Sequence, residues 1–275
     1  MIPPATIQSR NSLLKKLVTH VPFSESLQPF SVLGLPMHLV SDYDRWLSHR
    51  IEQRLGCHVI TLNAEMTMQA EQNPALANII HQAELVIPDG SGIVLYMRLH
   101  GRRVKRTPGI ELAQTLLERS TQFSEPWSIF FFGGAPGVAE IAAETWRQNV
   151  PGIAIVGVQN GYLKPEDESE FLHKLKTLQP RLIYVGLGVP RQELWIAQHR
   201  HVCPNSVWIG VGGSFDVWAG TKERAPKWFC DNHLEWLYRL YQEPWRWKRM
   251  TALPKFAIRA IVYRLTKRNP VSDRL

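Results

Sequence analysis

Six short apolar runs, rich in β-branched and aromatic residues, recur along the chain: HVITL at 58–62, ELVI at 84–87, WSIFFF at 127–132, IAIVGV at 153–158, RLIYVGL at 181–187 and SVWIGV at 206–211. Segments with helical spacing separate them, among them 137–149, 166–178 and 190–200. Such alternation predicts βαβ units and a parallel sheet covered by helices. Several runs are continuously apolar, the pattern of strands buried on both faces. The expected fold is therefore α/β: a Rossmann-like, open, mostly parallel sheet flanked by helices. From Ala225 onward the pattern is helical without strands, over 226–242 and then from Pro244 to about 265. Proline is tolerated in a first turn and breaks a helix interior, so two helices are expected to meet near Glu243. Residues 1–30 show little periodicity beyond Leu13 to Val18. The expected organisation is an extension over 1–30, an α/β domain carrying the chemistry over 31–220, and a helical appendage over 221–275.

In open α/β sheets ligands bind beyond the carboxyl ends of the strands. Those positions are Asn63, Asp89-Gly90, Gly133-Gly134, Gln159 to Tyr162, Gly188 to Gln192 and Gly212 to Asp216, and five of the six contain glycine. Glycine lets a backbone turn tightly and approach a ligand, and helix N-termini attract anions. A phosphate-bearing ligand in one crevice is the implied chemistry. Asp89 follows an apolar strand and precedes a glycine, a placement suited to a general base. It equally suits a turn aspartate bonded to its own backbone. Gly186 and Gly188 only approximate a dinucleotide fingerprint, since Val189-Pro190-Arg191 stands where the third glycine belongs, so NAD binding is not supported.

The formal charge of +8 is unevenly placed. Positions 1–220 hold 19 basic and 19 acidic residues, whereas the last 55 hold 13 and 5, with 9 of the 27 aromatics. In the appendage Arg239, Arg246 and Arg249 are spaced by seven and three, which on a continuous helix is one face. Arginine forks grip phosphates and Trp or Tyr rings suit a membrane interface, so this face could read an anionic lipid headgroup. An ordinary solvated basic helix fits as well. Nucleic-acid binding is less economical, because the body is neutral.

Cys57, Cys203 and Cys230 lie far apart with no CxxC pair, which supports neither a disulfide framework nor a zinc ribbon. No apolar run approaches the roughly 18 residues a membrane span needs, and the N-terminus lacks a signal-type core, so a cytosolic protein is expected. Asp42 and Asp44 form a literal DxD, but S-D-Y-D reads better as a helix start with Ser41 as N-cap and Asp44 at the third helical position. No His spacing suggests a metal, and no GxSxG elbow or Cys-His pair suggests a hydrolase.

TLNAEM (61–66), VIPDGSGIV (86–94), RTPG (106–109), FFGGAPG (131–137), GLGVPRQELW (186–195), GVGGSFDVWAGTKERAP (210–226) and EWLYRLYQEPWRWKR (235–249) together resemble the WecG/TagA/CpsF glycosyltransferases, glycosyltransferase family 26. They follow family order over roughly 31–250. The resemblance implies a cytosolic, peripheral enzyme on the inner face of the membrane. Such an enzyme moves a sugar from a UDP-sugar to a polyprenyl-diphosphate-linked amino sugar, with inversion and with neither metal nor other cofactor. It implies Asp89 as general base, with Thr61 and Asn63 lining the sugar pocket and Arg106 and Gln192 near the donor or the developing charge. Tyr162 and Asp216 are expected around the nucleotide, together with the strand-end glycines Gly133, Gly134, Gly188, Gly212 and Gly213. Arg239, Arg246 and Arg249 match appendage arginines that meet the lipid diphosphate. The donor is expected to be UDP-N-acetylmannosamine, its uronic acid or UDP-glucose, and the acceptor an undecaprenyl-diphosphate sugar such as GlcNAc, for a surface polymer. A homo-oligomer is compatible with this reading. Residues 1–30 depart from the family pattern. The rival class is a non-catalytic protein binding a nucleotide or an anionic lipid.

Overall fold

The computed structural model describes residues 26–232 and 234–266, and the side chain of Arg246 lies outside the described residues. Strands β1 (Gln28–Val32) and β2 (Leu35–Leu39) form an antiparallel hairpin. Its turn residues Leu33 and Gly34 both have positive φ, 52° and 94°, as a two-residue type I′ turn requires. There follow α1 (Tyr43–Glu52), β3 (Cys57–Leu62), α2 (Ala64–Gln72), α3 (Pro74–Gln82), β4 (Leu85–Pro88), α4 (Ser91–Leu99), α5 (Gly109–Arg119), β5 (Ser128–Gly133) and α6 (Val138–Asn149). Then come β6 (Ala154–Gln159), α7 (Pro165–Leu178), β7 (Leu182–Gly186), α8 (Arg191–His199), β8 (Val207–Gly210) and α9 (Ser214–Trp218). The C-terminal part is helical: α10 (Lys227–Asp231), α11 (Glu235–Gln242), a 3₁₀ turn over Pro244–Arg246, α12 (Trp247–Met250) and α13 (Ala252–Thr266).

Strands β3 to β8 make one six-stranded sheet in the order β4-β3-β8-β7-β5-β6, with every pairing parallel. Each of the six apolar runs became a strand of it. Alternate side chains serve opposite faces. Val59, Ile87, Phe131, Tyr184 and Ile209 pack with α1, α5, α6 and α9. On the other face Ile60, Leu62 and Val86 pack with α2, α3, α4 and α13, while Phe130, Phe132, Ile183 and Trp208 pack with α7 and α8. Both faces of the inner strands are covered, which is why several of the runs are continuously apolar.

The hairpin was not anticipated. β1 begins inside the segment taken as an extension, and it is held to the body where the Val86 N–H donates to His38 Nδ1 at 2.9 Å. The cap of α1 is Asp42 rather than Ser41: its carboxylate accepts from the Arg45 N–H at 3.0 Å. Asp44, in the first turn, pairs with Arg119. The appendage is more broken than expected. Besides the interruption at Glu243 (φ −129°, ψ 74°), the helix stops at Asp231 and again at Thr251. Arg239 and Arg249 thus lie on separate helices, because Pro244 has no N–H and forces its predecessor out of the helical region. Helix α13 packs on the body through Phe256 and Ala260, both buried. Gly92 lets α4 lie close to α2, since a Cβ there would stand 3.1 Å from Ala64 Cβ, whereas the Phe256 ring at 3.7 Å would be in ordinary contact.

Candidate active site

β4 is an edge strand of the six-stranded sheet, and its carboxyl end leads straight into the site. The Asp89 N–H donates to Leu62 O at 2.9 Å, extending the β3–β4 ladder by one step. Gly90, at φ +85°, then turns the chain into α4. The RTPG segment is pinned alongside by Thr107 N–H donating to Pro88 O at 3.0 Å, which brings Arg106 next to Asp89. Gly109 fits against buried Thr61, where a Cβ would stand 2.8 Å from Thr61 Cγ2. Asn63 caps α2 by accepting from the Met66 N–H at 2.9 Å. Helix α11 and the start of α13 close the other side.

The result is a cavity of about 150 Å³, lined by Asn63, Asp89, Arg106, Glu235, Arg239 and Arg249 among its polar residues, with Trp236, Met250 and Leu253 as an apolar wall. Burial is the largest influence on Asp89 and pushes its carboxyl up to about 6; Arg239 opposes the shift, Glu235 reinforces it, and Arg106 and the Gly90 N–H oppose it. A carboxylate with that affinity for protons is ionised at neutral pH and still basic enough to take one. The bond to Gly90 means that the local-turn role and the pocket placement coexist in one side chain.

Glu235 bridges two arginines, at 3.2 Å to Arg106 Nη1 and 2.6 Å to Arg239 Nη2. Burial pushes its carboxyl up, but Arg239 and Arg106 outweigh that and hold it below the usual carboxylate range. Glu65 pairs with Arg249 in the same cavity. The sequence reading did not single out Glu235. Its signal was the i, i+4 spacing to Arg239 in E-W-L-Y-R, which reads equally as a surface pair.

The remaining expected residues gather elsewhere on the same edge of the sheet. The connections leaving β5 and β7 run in opposite directions, so the gap between them is a topological switch point. There Gly134 N–H donates to Gly186 O at 3.0 Å and Gly161 N–H donates to Gly134 O at 2.8 Å. Gly133 ends β5, Gly134 and Gly188 follow β5 and β7, and Tyr162, 73% exposed, follows β6. Gly212, Gly213 and Asp216 follow β8, with Asp216 3.9 Å from Lys222 Nζ. Gln192 is 2% exposed and faces backbone rather than the Asp89 cavity. Its carboxamide oxygen accepts from the Gly188 and Gly212 N–H groups, each at 3.1 Å, and its nitrogen donates to Glu193 Oε1 at 3.0 Å. Glu193 in turn meets His58 Nε2 at 2.9 Å, all of it buried. From β4 to the β5–β7 gap is three and a half strand spacings, roughly 17 Å at about 4.8 Å per strand.

Among the described residues no group of three or more His, Cys, Asp or Glu is placed to hold a metal ion, and no helix is long and apolar enough to cross a membrane.

Residues 30–270 match the family described as Glycosyl transferase WecG/TagA/CpsF. Similar proteins include an N-acetylglucosaminyldiphosphoundecaprenol N-acetyl-beta-D-mannosaminyltransferase of Bacillus spizizenii, 36% identical over 221 residues, which are 80% of this chain and 84% of the relative. Proteins of the same name from Bacillus subtilis and Staphylococcus aureus are each 34% identical, over 80% and 76% of this chain and 85% and 79% of theirs. On a match that spans nearly the whole described chain, this chain belongs to the WecG/TagA/CpsF family of glycosyltransferases.

Proposed function

We propose that this enzyme transfers an N-acetylmannosamine-type sugar from a UDP-sugar to undecaprenyl-diphosphate-linked GlcNAc, with inversion and without a metal. The observation that carries the reading is the cavity in which Asp89 meets Asn63, Arg106, Arg239 and Arg249. The names of the relatives supply the sugar and the acceptor. In a direct displacement the acceptor hydroxyl oxygen attacks the anomeric carbon, Asp89 takes the hydroxyl proton, and UDP leaves with the electrons of the broken bond. A UDP moiety seated at the β5–β7 glycine turns would extend its sugar along the strand ends toward Asp89. Backbone N–H groups and arginines would stabilise the departing charge. The acceptor diphosphate would be held by Arg239 and Arg249 of the appendage, with Arg246 as a third candidate.

The lipid-linked acceptor requires a membrane surface, and α13 supports a peripheral one. Its outer face exposes Ile258, Ile261, Val262 and Leu265, flanked by Lys255, Arg259 and Arg264, the composition of an interfacial amphipathic helix. The inner face of the cell membrane is the proposed location. The test is transfer from a panel of UDP-sugars to a short-chain lipid-diphosphate-GlcNAc, with and without EDTA. Transfer from UDP-N-acetylmannosamine that survives chelation is expected. Selective use of the uronic acid or glucose donor would reassign the sugar, and loss on chelation would end the metal-free mechanism.

A further inference from the structure

The charged lining of the Asp89 cavity is balanced, with Arg106, Arg239 and Arg249 against Glu65, Asp89 and Glu235. A balanced cavity is a poor trap for a diphosphate, so one carboxylate must give way before two guanidinium groups can face the ligand. Glu235 is the one placed to do so. Its two oxygens are divided between Arg106 and Arg239, as the oxygens of a phosphate group would be. Its bond to Arg239 is local, within one turn of α11, whereas its bond to Arg106 joins the appendage to the body across 129 positions. The Glu235 and Arg106 side chains are each 13% exposed, so neither can lose its partner cheaply unless another charge replaces it.

We propose that Glu235 is a displaceable counter-ion: it holds Arg106 and Arg239 in place beside Asp89 and yields them to the diphosphate of a substrate. This rests on the reading above that the cavity arginines receive a diphosphate. Arg224, paired with Glu111, also acts on the charge of Glu235 and gives the displaced carboxylate a second cation nearby. The opposite role would be a fixed strut, in which Glu235 orients the two arginines and the ligand needs it to stay. The two roles predict opposite signs.

The test is equilibrium binding of inorganic pyrophosphate to the full chain, read by calorimetry. With Glu235→Gln the competing charge is gone, and binding is expected to tighten roughly tenfold. Glu235→Asp keeps the charge but is too short to span both arginines, so an intermediate gain is expected, and this variant decides the matter should the first not fold. Unchanged or weaker binding in the variants overturns the proposal in favour of the strut. Titrating UDP and a soluble short-chain prenyl diphosphate in parallel identifies the source: a gain confined to one of them names the substrate whose diphosphate displaces Glu235, and a gain in neither overturns the proposal. No turnover is involved, so the outcome is independent of whether Asp89 is the base.

Discussion

Gly133 lies so close to Gly186 that a Cβ on the former would stand 2.4 Å from the carbonyl oxygen of the latter, and Gly133 has φ +137° besides. Two neighbouring strands thus leave the sheet with their backbones in contact at the switch point, where neither a side chain nor an ordinary backbone angle fits. Gly133→Ala is expected to cost about 2–4 kcal/mol in a urea titration and to weaken UDP binding at least tenfold. Parent-like UDP affinity in a folded variant would remove this turn from the nucleotide site.

Asp89→Asn should lower the transfer rate by about 10²–10⁴-fold, the usual contribution of a positioned base. It should not lower stability at pH 7. Burial raises the folded-state pKa of this carboxyl, so its ionised form is disfavoured by folding, and the protein loses stability as pH rises from the unfolded value toward about 6. An amide carries no such cost. A variant that loses activity only because it unfolds would contradict the assignment, and thermal melts distinguish the two.

The pH profile of kcat/KM should show an acid limb, falling about tenfold per pH unit below about 6, as protonation removes the base. The charges acting on Asp89 are Arg239 and Glu235 from α11 and Arg106 from the RTPG segment, with Glu65 and Arg249 also lining the cavity. Removing the negative charge with Glu235→Gln should move the limb to lower pH. A limb that stays in place would show that Glu235 does not bear on the titrating group.

The buried His58–Glu193–Gln192 chain makes a different prediction. In Glu193→Leu both acceptor oxygens are lost, so the Gln192 nitrogen and His58 lose their buried partner and the orientation that presents the Gln192 oxygen to the Gly188 and Gly212 N–H groups is no longer enforced. The expected loss is about 1–3 kcal/mol of stability. The donor KM should rise more than kcat falls, because the loops after β7 and β8 are what the chain holds together. A uniform fall in kcat with KM unchanged would argue against a positioning role.

For the membrane, the paired change Ile261→Ser and Leu265→Ser removes two exposed apolar side chains from the outer face of α13, each worth about 1.5–3 kcal/mol when fully buried. Binding to anionic vesicles in a sedimentation assay should weaken at least tenfold, with the melting temperature unchanged. Undiminished binding would move the membrane contact elsewhere.

Local pattern carried a large part of this protein. The six apolar runs determined the strands and the α/β class, because a strand buried on both faces admits few polar residues. Proline and glycine determined where chains turn. The motifs placed Asp89, Asn63, Arg106, Arg239 and Arg249 on a short roster of candidates, and those five line one cavity. What local pattern does not encode is which strand lies beside which. The order β4-β3-β8-β7-β5-β6 puts Asp89 at one edge and the glycine turns several strands away, so one ligand site in the sequence became two linked regions in the fold. The same holds for partners. Gln192, expected near the donor or the developing charge, satisfies two backbone N–H groups, and Glu235, which no motif singled out, holds Arg106 from across the chain. Hydrophobic periodicity fixes burial within each element, whereas the partner of a buried charge is set by long-range packing, and that only the tertiary structure decides.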